Sequence, residues 1–130
     1  MSDLICLSVQ QPWAWAIMAG HKGVENRSWL THYRGLLGIH AGKSRESMDA
    51  GTIEFIESQG LSVPRDLPFG TLLGTVEIHG CLMVEHLKPN PWAFGPYCRL
   101  VRNPQLFRTP IPARGSLGLF RLPMPEGVKP

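Results

Sequence analysis

The apolar positions of this chain change period several times, and each change marks an element. Residues 4–9, LICLSV, form a short apolar run that includes Ile5 and Val9, which predicts a buried strand. Pro12 costs nothing in the first turn of a helix, where its missing N–H has no partner to lose, and Gly20 suits the position just past a helix end. A short helix over 12–19 follows. Over 24–30 the chain alternates, with Glu25, Arg27 and Trp29 on one face and Val24, Asn26, Ser28 and Leu30 on the other, which predicts a strand. Gly35 opens another strand over 36–41. Ser44 is placed to cap a helix over 45–59 that Gly60 ends, with Met48, Thr52, Phe55 and Ile56 on one side.

After a Pro-containing loop over 62–69 the pattern turns β-rich. Residues 70–83 read as one long strand or two short ones, 97–103 as another and 117–122 as the last, with Pro104, Pro110, Pro112 and Gly115 as punctuation. Short strands, helices near the N-terminus and a Pro/Gly-rich second half predict an α+β fold. Its sheet is small, bent and mostly antiparallel, closing into a barrel with two or three short helices over its ends. With 130 residues, 43% of them hydrophobic, the length predicts one domain over 1–130.

Charge changes this picture more by its distribution than by its total. The net charge is only +3, yet no acid lies between Glu25 and Glu46, or between Glu85 and Glu126. Arg27, Arg34, Lys43 and Arg45 occupy the first interval, and Lys88, Arg99, Arg102, Arg108, Arg114 and Arg121 the second. Basic surfaces beside an acidic helix are expected. Cys6, Cys81 and Cys98 are odd in number and widely spaced, which predicts neither a disulfide framework nor a thiolate metal site and points to a reducing, cytoplasmic compartment. The start MSDLICLSVQQPW carries an acid and only a short apolar run, so neither a signal peptide nor a membrane span is expected.

Residues 8–43 concentrate the chemistry. Three of the four tryptophans lie there, with Lys22, Glu25, Arg27, Arg34, His40 and Lys43, in a chain only 18% charged. Within it Gly20-His21-Lys22-Gly23-Val24-Glu25-Asn26-Arg27 follows Gln11-Pro12-Trp13-Ala14 and precedes Tyr33-Arg34-Gly35 and Ile39-His40-Ala41. This G-x-K-x-x-E-x-R core, with Phe69-Gly70, Leu73-Gly74 and Pro112-Ala113-Arg114-Gly115 further on, resembles the ASCH family, the activating signal cointegrator homology domain of the PUA-like superfamily. The resemblance covers nearly the whole chain. It implies a pseudo-barrel of five or six strands, a cleft between barrel and helices, and binding of RNA or other nucleic acid with the core residues in the cleft.

The residues support that reading in their own terms. An ammonium and a guanidinium at one rim can hold a phosphate or carbonyl, and a carboxylate can accept from a base's exocyclic amine. Trp13, Trp29 and Trp92 can supply stacking faces for single-stranded or flipped bases. Equally, Glu25 can be consumed by ion pairing with Lys22 or Arg27, and the tryptophans by the core. Arg34, His40 and Lys43 complete the candidate ligand set, although His40 also suits a hydrogen-bonded place in the core.

A hydrolytic alternative rests on a second resemblance. Some small ASCH proteins are similar to amidohydrolases acting on acetylated cytidine, with a Lys-x-x-Thr pattern and a later Glu. Here Lys22 matches the lysine and Glu77 the later carboxylate, while Glu25 stands in place of threonine. Water activated by Glu25 or Glu77, with Lys22 steadying the oxyanion, would then be the nucleophile. The five histidines lack metal-ligand spacing, Ser8 and Ser44 lack a His–Asp arrangement, and no cofactor fingerprint occurs, so neither metal nor cofactor is expected. The loop over 88–97, with Trp92 and Phe94 among prolines and glycines, reads either as a lid on the pocket or as a cap on a barrel end; Arg99 and Arg102 beyond it could touch phosphates.

Overall fold

The structure, a computed structural model, describes residues 3–129, so positions 1, 2 and 130 of the expected domain lie outside the described residues. Six strands, β1 (Asp3–Val9), β2 (Val24–Arg27), β3 (Gly35–Ala41), β4 (Thr71–Met83), β5 (Tyr97–Pro112) and β6 (Leu119–Pro123), join in the order β2-β5-β4-β3-β1-β6. The β1–β3 pair is parallel and the other pairs are antiparallel. The sheet bends into a half-barrel with helices α1 (Trp13–Met18) and α2 (Ala50–Ser58) against it, and a single 3-10 turn (Val84–His86) follows β4. The α+β expectation stands, with a half-barrel in place of a closed one.

The bend comes from irregular pairing. Register slips along β4 and β5 at Leu72/Gly74, Thr75/Glu77 and Ile78/Gly80, and each added residue increases local twist. These slips also explain the main departure from the sequence pattern, because β5 runs through Pro104 and Pro110 to Pro112 where punctuation at Pro104 was expected. Thr75 opposes Gln105 and Glu77 opposes Arg102, so Asn103 and Pro104 share one opposing residue. Pro104 thus sits in a bulge, where a missing N–H breaks no ladder bond, and Asn103 tolerates its φ of 56°.

Other boundaries shift for equally local reasons. Strand β2 stops at Arg27, short of residue 30, because its partner β5 begins at the opposing Tyr97. Trp29 therefore leaves the alternation that placed it beside Glu25. Helix α2 starts at Ala50, five residues later than expected, since Asp49 Oδ1 accepts from Thr52 N at 2.7 Å and wins over Ser44 as cap. Ser44 instead closes a small turn onto Glu46 N. Strand β6 begins at Leu119, leaving Leu117 almost fully exposed.

Apolar packing divides around the sheet. On one face Leu7, Val9, Leu37, Ile39, Val76 and Ile78 pack against Ala14 and Ile17 of α1. On the other, Leu4, Cys6 and Leu72 pack with Phe107 and Phe120. A third cluster of Ala16, Val24, Ile56, Trp92 and Cys98 joins the two helices to the 88–96 segment. The first turn of α1 is fastened by fully buried Gln11, whose Oε1 accepts from Trp15 N at 2.8 Å while its Nε2 donates to Pro68 O.

Candidate functional site

The site begins where α1 ends. Gly20 takes the left-handed conformation at φ 84°, and the N–H groups of His21 and Lys22 both donate to Ala16 O, closing the helix and turning the chain toward β2. Lys22 is thereby delivered beneath the start of β2 and buried. Its Nζ donates to Glu25 Oε1 at 2.7 Å and lies 5.5 Å from the centre of the Trp13 ring. Arg27 holds the other carboxylate oxygen, with Nε at 3.1 Å and Nη2 at 2.9 Å from Oε2. Arg27 Nη2 also donates to Ser8 O, bridging the open seam of the half-barrel between β2 and β1.

Glu25 is thus the middle of a three-residue ion network, and it forms part of the wall of two cavities. The larger, about 340 Å³, is lined by Ser8, Gln10, Trp13, Arg27, Ser47 and Leu117 among others. The smaller, about 230 Å³, is lined by Trp13, Lys22, Glu25, Asn26 and Phe94. Trp13 borders both. The three charges pair with one another, and they do so at the edge of open space.

Directly opposite Glu25 on β5 stands Arg99, fully buried, with its guanidinium 4.0 Å over the Trp29 ring and Nη1 donating to Trp29 O at 3.2 Å. Its Nε and Nη2 are buried without a hydrogen-bond partner among the described residues. Burial, helped by the positive field of Arg27 and opposed by Cys81 and Glu25, pulls this guanidinium below the usual arginine range. Arg99 is therefore not a surface contact for phosphates as the sequence implied, but a charge set behind the site. Trp29 is exposed and stacked on it.

Several expected ligand residues are held elsewhere. Trp92 is buried and packs edge-on against Trp13 and Phe55, so it supports the site from behind while Phe94 forms the cavity wall. Within the 88–97 loop the two aromatics thus part, Trp92 packing inward and Phe94 facing the cavity. His40 is buried, its Nε2 2.7 Å from Ala113 O and its Nδ1 2.8 Å from Ser8 Oγ. A carbonyl oxygen only accepts, so Nε2 donates to it and Nδ1 accepts from the Ser8 hydroxyl. Ser8 does have a histidine neighbour, but His40 Nε2 meets a backbone carbonyl where a His–Asp arrangement would need a carboxylate. Gly115 packs closely against the pair, since a Cβ there would lie 2.5 Å from Ser8 Oγ and 2.7 Å from His40 Cε1. Arg34 is exposed and donates to Thr31 O and Tyr33 O, and the Lys43 side chain lies over Gly70; neither lines the two cavities. Glu77 is paired with Arg102 on the surface and borders neither cavity, so it does not join Lys22 and Glu25.

Asn26 went unnoticed in the sequence. Its Nδ2 donates to Trp92 O at 3.0 Å, and its Oδ1 accepts from Phe94 N and Gly95 N at 2.8 and 2.9 Å. One side chain so fixes the segment that carries Phe94. The only available signal was its place between Glu25 and Arg27, on the opposite face of β2. Among the described residues, no group of three or more His, Cys, Asp or Glu side chains gathers as a metal site, and no helix is long and apolar enough to cross a membrane.

Residues 7–102 match the ASCH domain family. Activating signal cointegrator 1 from Homo sapiens is 32% identical over 127 residues, and its Mus musculus counterpart 31% over 127 residues. Each alignment spans 90% of this chain but only 22% of the relative's length. The crystal structure of ASCH from Zymomonas mobilis superposes with a TM-score of 0.56 at 16% identity, over 91% of this chain and 86% of that one. That likeness bears on the fold, and the sequence match bears on descent: this chain belongs to the ASCH domain family.

Proposed function

We propose that this chain is a nucleic-acid-binding module that holds a single-stranded or modified nucleotide of RNA in the cleft between half-barrel and helices. The ASCH family is one linked to RNA binding. The observation that carries the reading is Glu25, a carboxylate fixed by two cations at 2.7 and 2.9 Å yet bordering two cavities beside Trp13. An oriented carboxylate next to an ammonium presents an acceptor and a donor side by side, which matches a base edge carrying an amine and a ring acceptor. Trp13 and Phe94 border the smaller cavity as aromatic walls for that base, and exposed Trp29 offers a further face for a neighbouring one. The module comprises one domain over 1–130 and acts in the cytoplasm, a setting consistent with Cys6, Cys81 and Cys98 being buried and unpaired. A protein partner can share the task, as the coactivator name of the relatives suggests.

Fluorescence anisotropy with labelled single-stranded RNA tests this. Binding should be saturable and fall steeply with salt, and Trp13→Ala should weaken it with the fold intact. Absence of any RNA binding by the folded protein ends the reading. The alternative, hydrolysis of an acylated nucleoside such as N4-acetylcytidine by Lys22, Glu25 and Glu77, has less support because Glu77 is engaged by Arg102 away from the other two. Release of acetate from N4-acetylcytidine, abolished by Lys22→Ala, would reinstate it.

A further inference from the structure

The charges around the cleft do not balance. Lys22, Arg27 and Arg99 are three cations around one carboxylate, Glu25, and no other acid lines either cavity. Lys22 and Arg99 are buried, where low polarity leaves their fields weakly screened. Arg27 spends Nε and Nη2 on Glu25 and Ser8 O, while its Nη1 has no acceptor among the described residues. Arg27 is partly exposed and lines the 340 Å³ cavity together with exposed Ser116; the 230 Å³ cavity is bordered by Trp13 and Phe94 and lacks Arg27.

From this asymmetry we infer that the two cavities divide a nucleotide between them, the smaller taking the base and the larger a phosphate held by Arg27. The inference rests on the nucleic-acid reading above and specifies it: the ligand is a phosphorylated nucleotide rather than a neutral nucleoside. A guanidinium with one edge committed to Glu25 still presents Nη1 to a phosphate oxygen, a charge-assisted bond stronger than a neutral one. The surplus positive charge behind it favours an anion and disfavours a neutral ribose end.

Calorimetric titration of the folded protein with each of the four ordinary ribonucleosides and its 5′- and 3′-monophosphates tests the division. At least one monophosphate should bind about tenfold or more tightly than its nucleoside. Arg27→Gln should erase that gain. Because Arg27→Gln also removes the seam contact to Ser8 O, Ser116→Asp serves as a second variant: at an exposed position it adds a negative charge to the rim and should reduce monophosphate affinity while leaving the nucleoside's unchanged. A single-stranded tetranucleotide with and without a terminal phosphate separates the sources of the anion. A gain from the terminal phosphate assigns a chain end; equal binding with a log–log salt slope near −0.7 per contact assigns a bridging phosphodiester. Equal affinity for nucleoside and monophosphate with every base, while RNA still binds, overturns the division and leaves the module's RNA binding standing. A phosphate gain that survives both variants overturns it too, because the phosphate then lies elsewhere. If no nucleoside, nucleotide or strand binds, the functional reading itself falls.

Discussion

Two carboxylate–cation groups in this molecule use the same chemistry at opposite depths. In the Lys22–Glu25 pair the side chains retain 2% and 10% of their exposure, whereas in Arg102–Glu77 they retain 62% and 42%. Contact distance does not separate them, for the surface pair is at least as short. Their surroundings do. At the surface, water replaces a lost partner, and such a pair contributes about 0–1 kcal/mol. Beneath β2, where Lys22 is buried and Glu25 nearly so, water replaces it far less fully, so each charge there constrains the others. A buried group of this kind specifies where its members stand, and a binding site needs that fixity.

Substitution can break this comparison at either end. The largest effect is expected for Glu25→Gln, which leaves Lys22 and Arg27 without their counter-ion; a loss of about 3–5 kcal/mol in denaturant unfolding is expected, with RNA binding abolished. Stability within about 1 kcal/mol of the parent would show that water reaches the triad freely. Trp13→Ala should lower RNA affinity by about 1–3 kcal/mol, the range for one stacked base, in the same anisotropy titration. An unchanged affinity would assign Trp13 to packing alone.

Burial can also be sharpened through pH. Desolvation pushes the Cys6 thiol up to about 12 from its ordinary 9.0, overcoming an opposing backbone hydrogen bond. Above about pH 9 the unfolded chain therefore loses a proton that the folded chain keeps, so this contribution to stability is complete below that pH and is lost as pH rises toward about 12. The slope should reach about 1.4 kcal/mol per pH unit and flatten in Cys6→Ala, as read by unfolding curves across that window. The smallest effect is expected for Arg102→Ala, under about 1 kcal/mol and with RNA binding unaltered. A larger loss would mean that the Glu77–Arg102 pair contributes more than its exposure implies.

Much of the fold was legible because it follows local rules. The strand over 4–9, the Gly20 and Gly60 stops and the long strand ending at Met83 express periodicity and backbone freedom, which a sequence states directly. What was illegible depends on partners distant in the chain. Pro104 reads as a break until Glu77 and Thr75 are seen to straddle a bulge opposite it, and Trp29 reads as a neighbour of Glu25 until β2 is found to end with its partner. At the site, Lys22, Glu25 and Arg27 lie within six residues and their convergence could be read. Arg99 could not, because its place is set by β5 pairing, and Phe94, left by the sequence between lid and cap, is placed by the Asn26 side chain.

That asparagine has a wider meaning. Its carboxamide grips the backbone of Trp92, Phe94 and Gly95 and ties the wall they form to β2, while Asn90 braces the same segment from within the loop by accepting from Trp92 N and Ala93 N. Descendants of such a chain can therefore vary Lys88, Pro89 and Pro91, which line neither cavity, while the two asparagines keep Phe94 in place over the ionic framework.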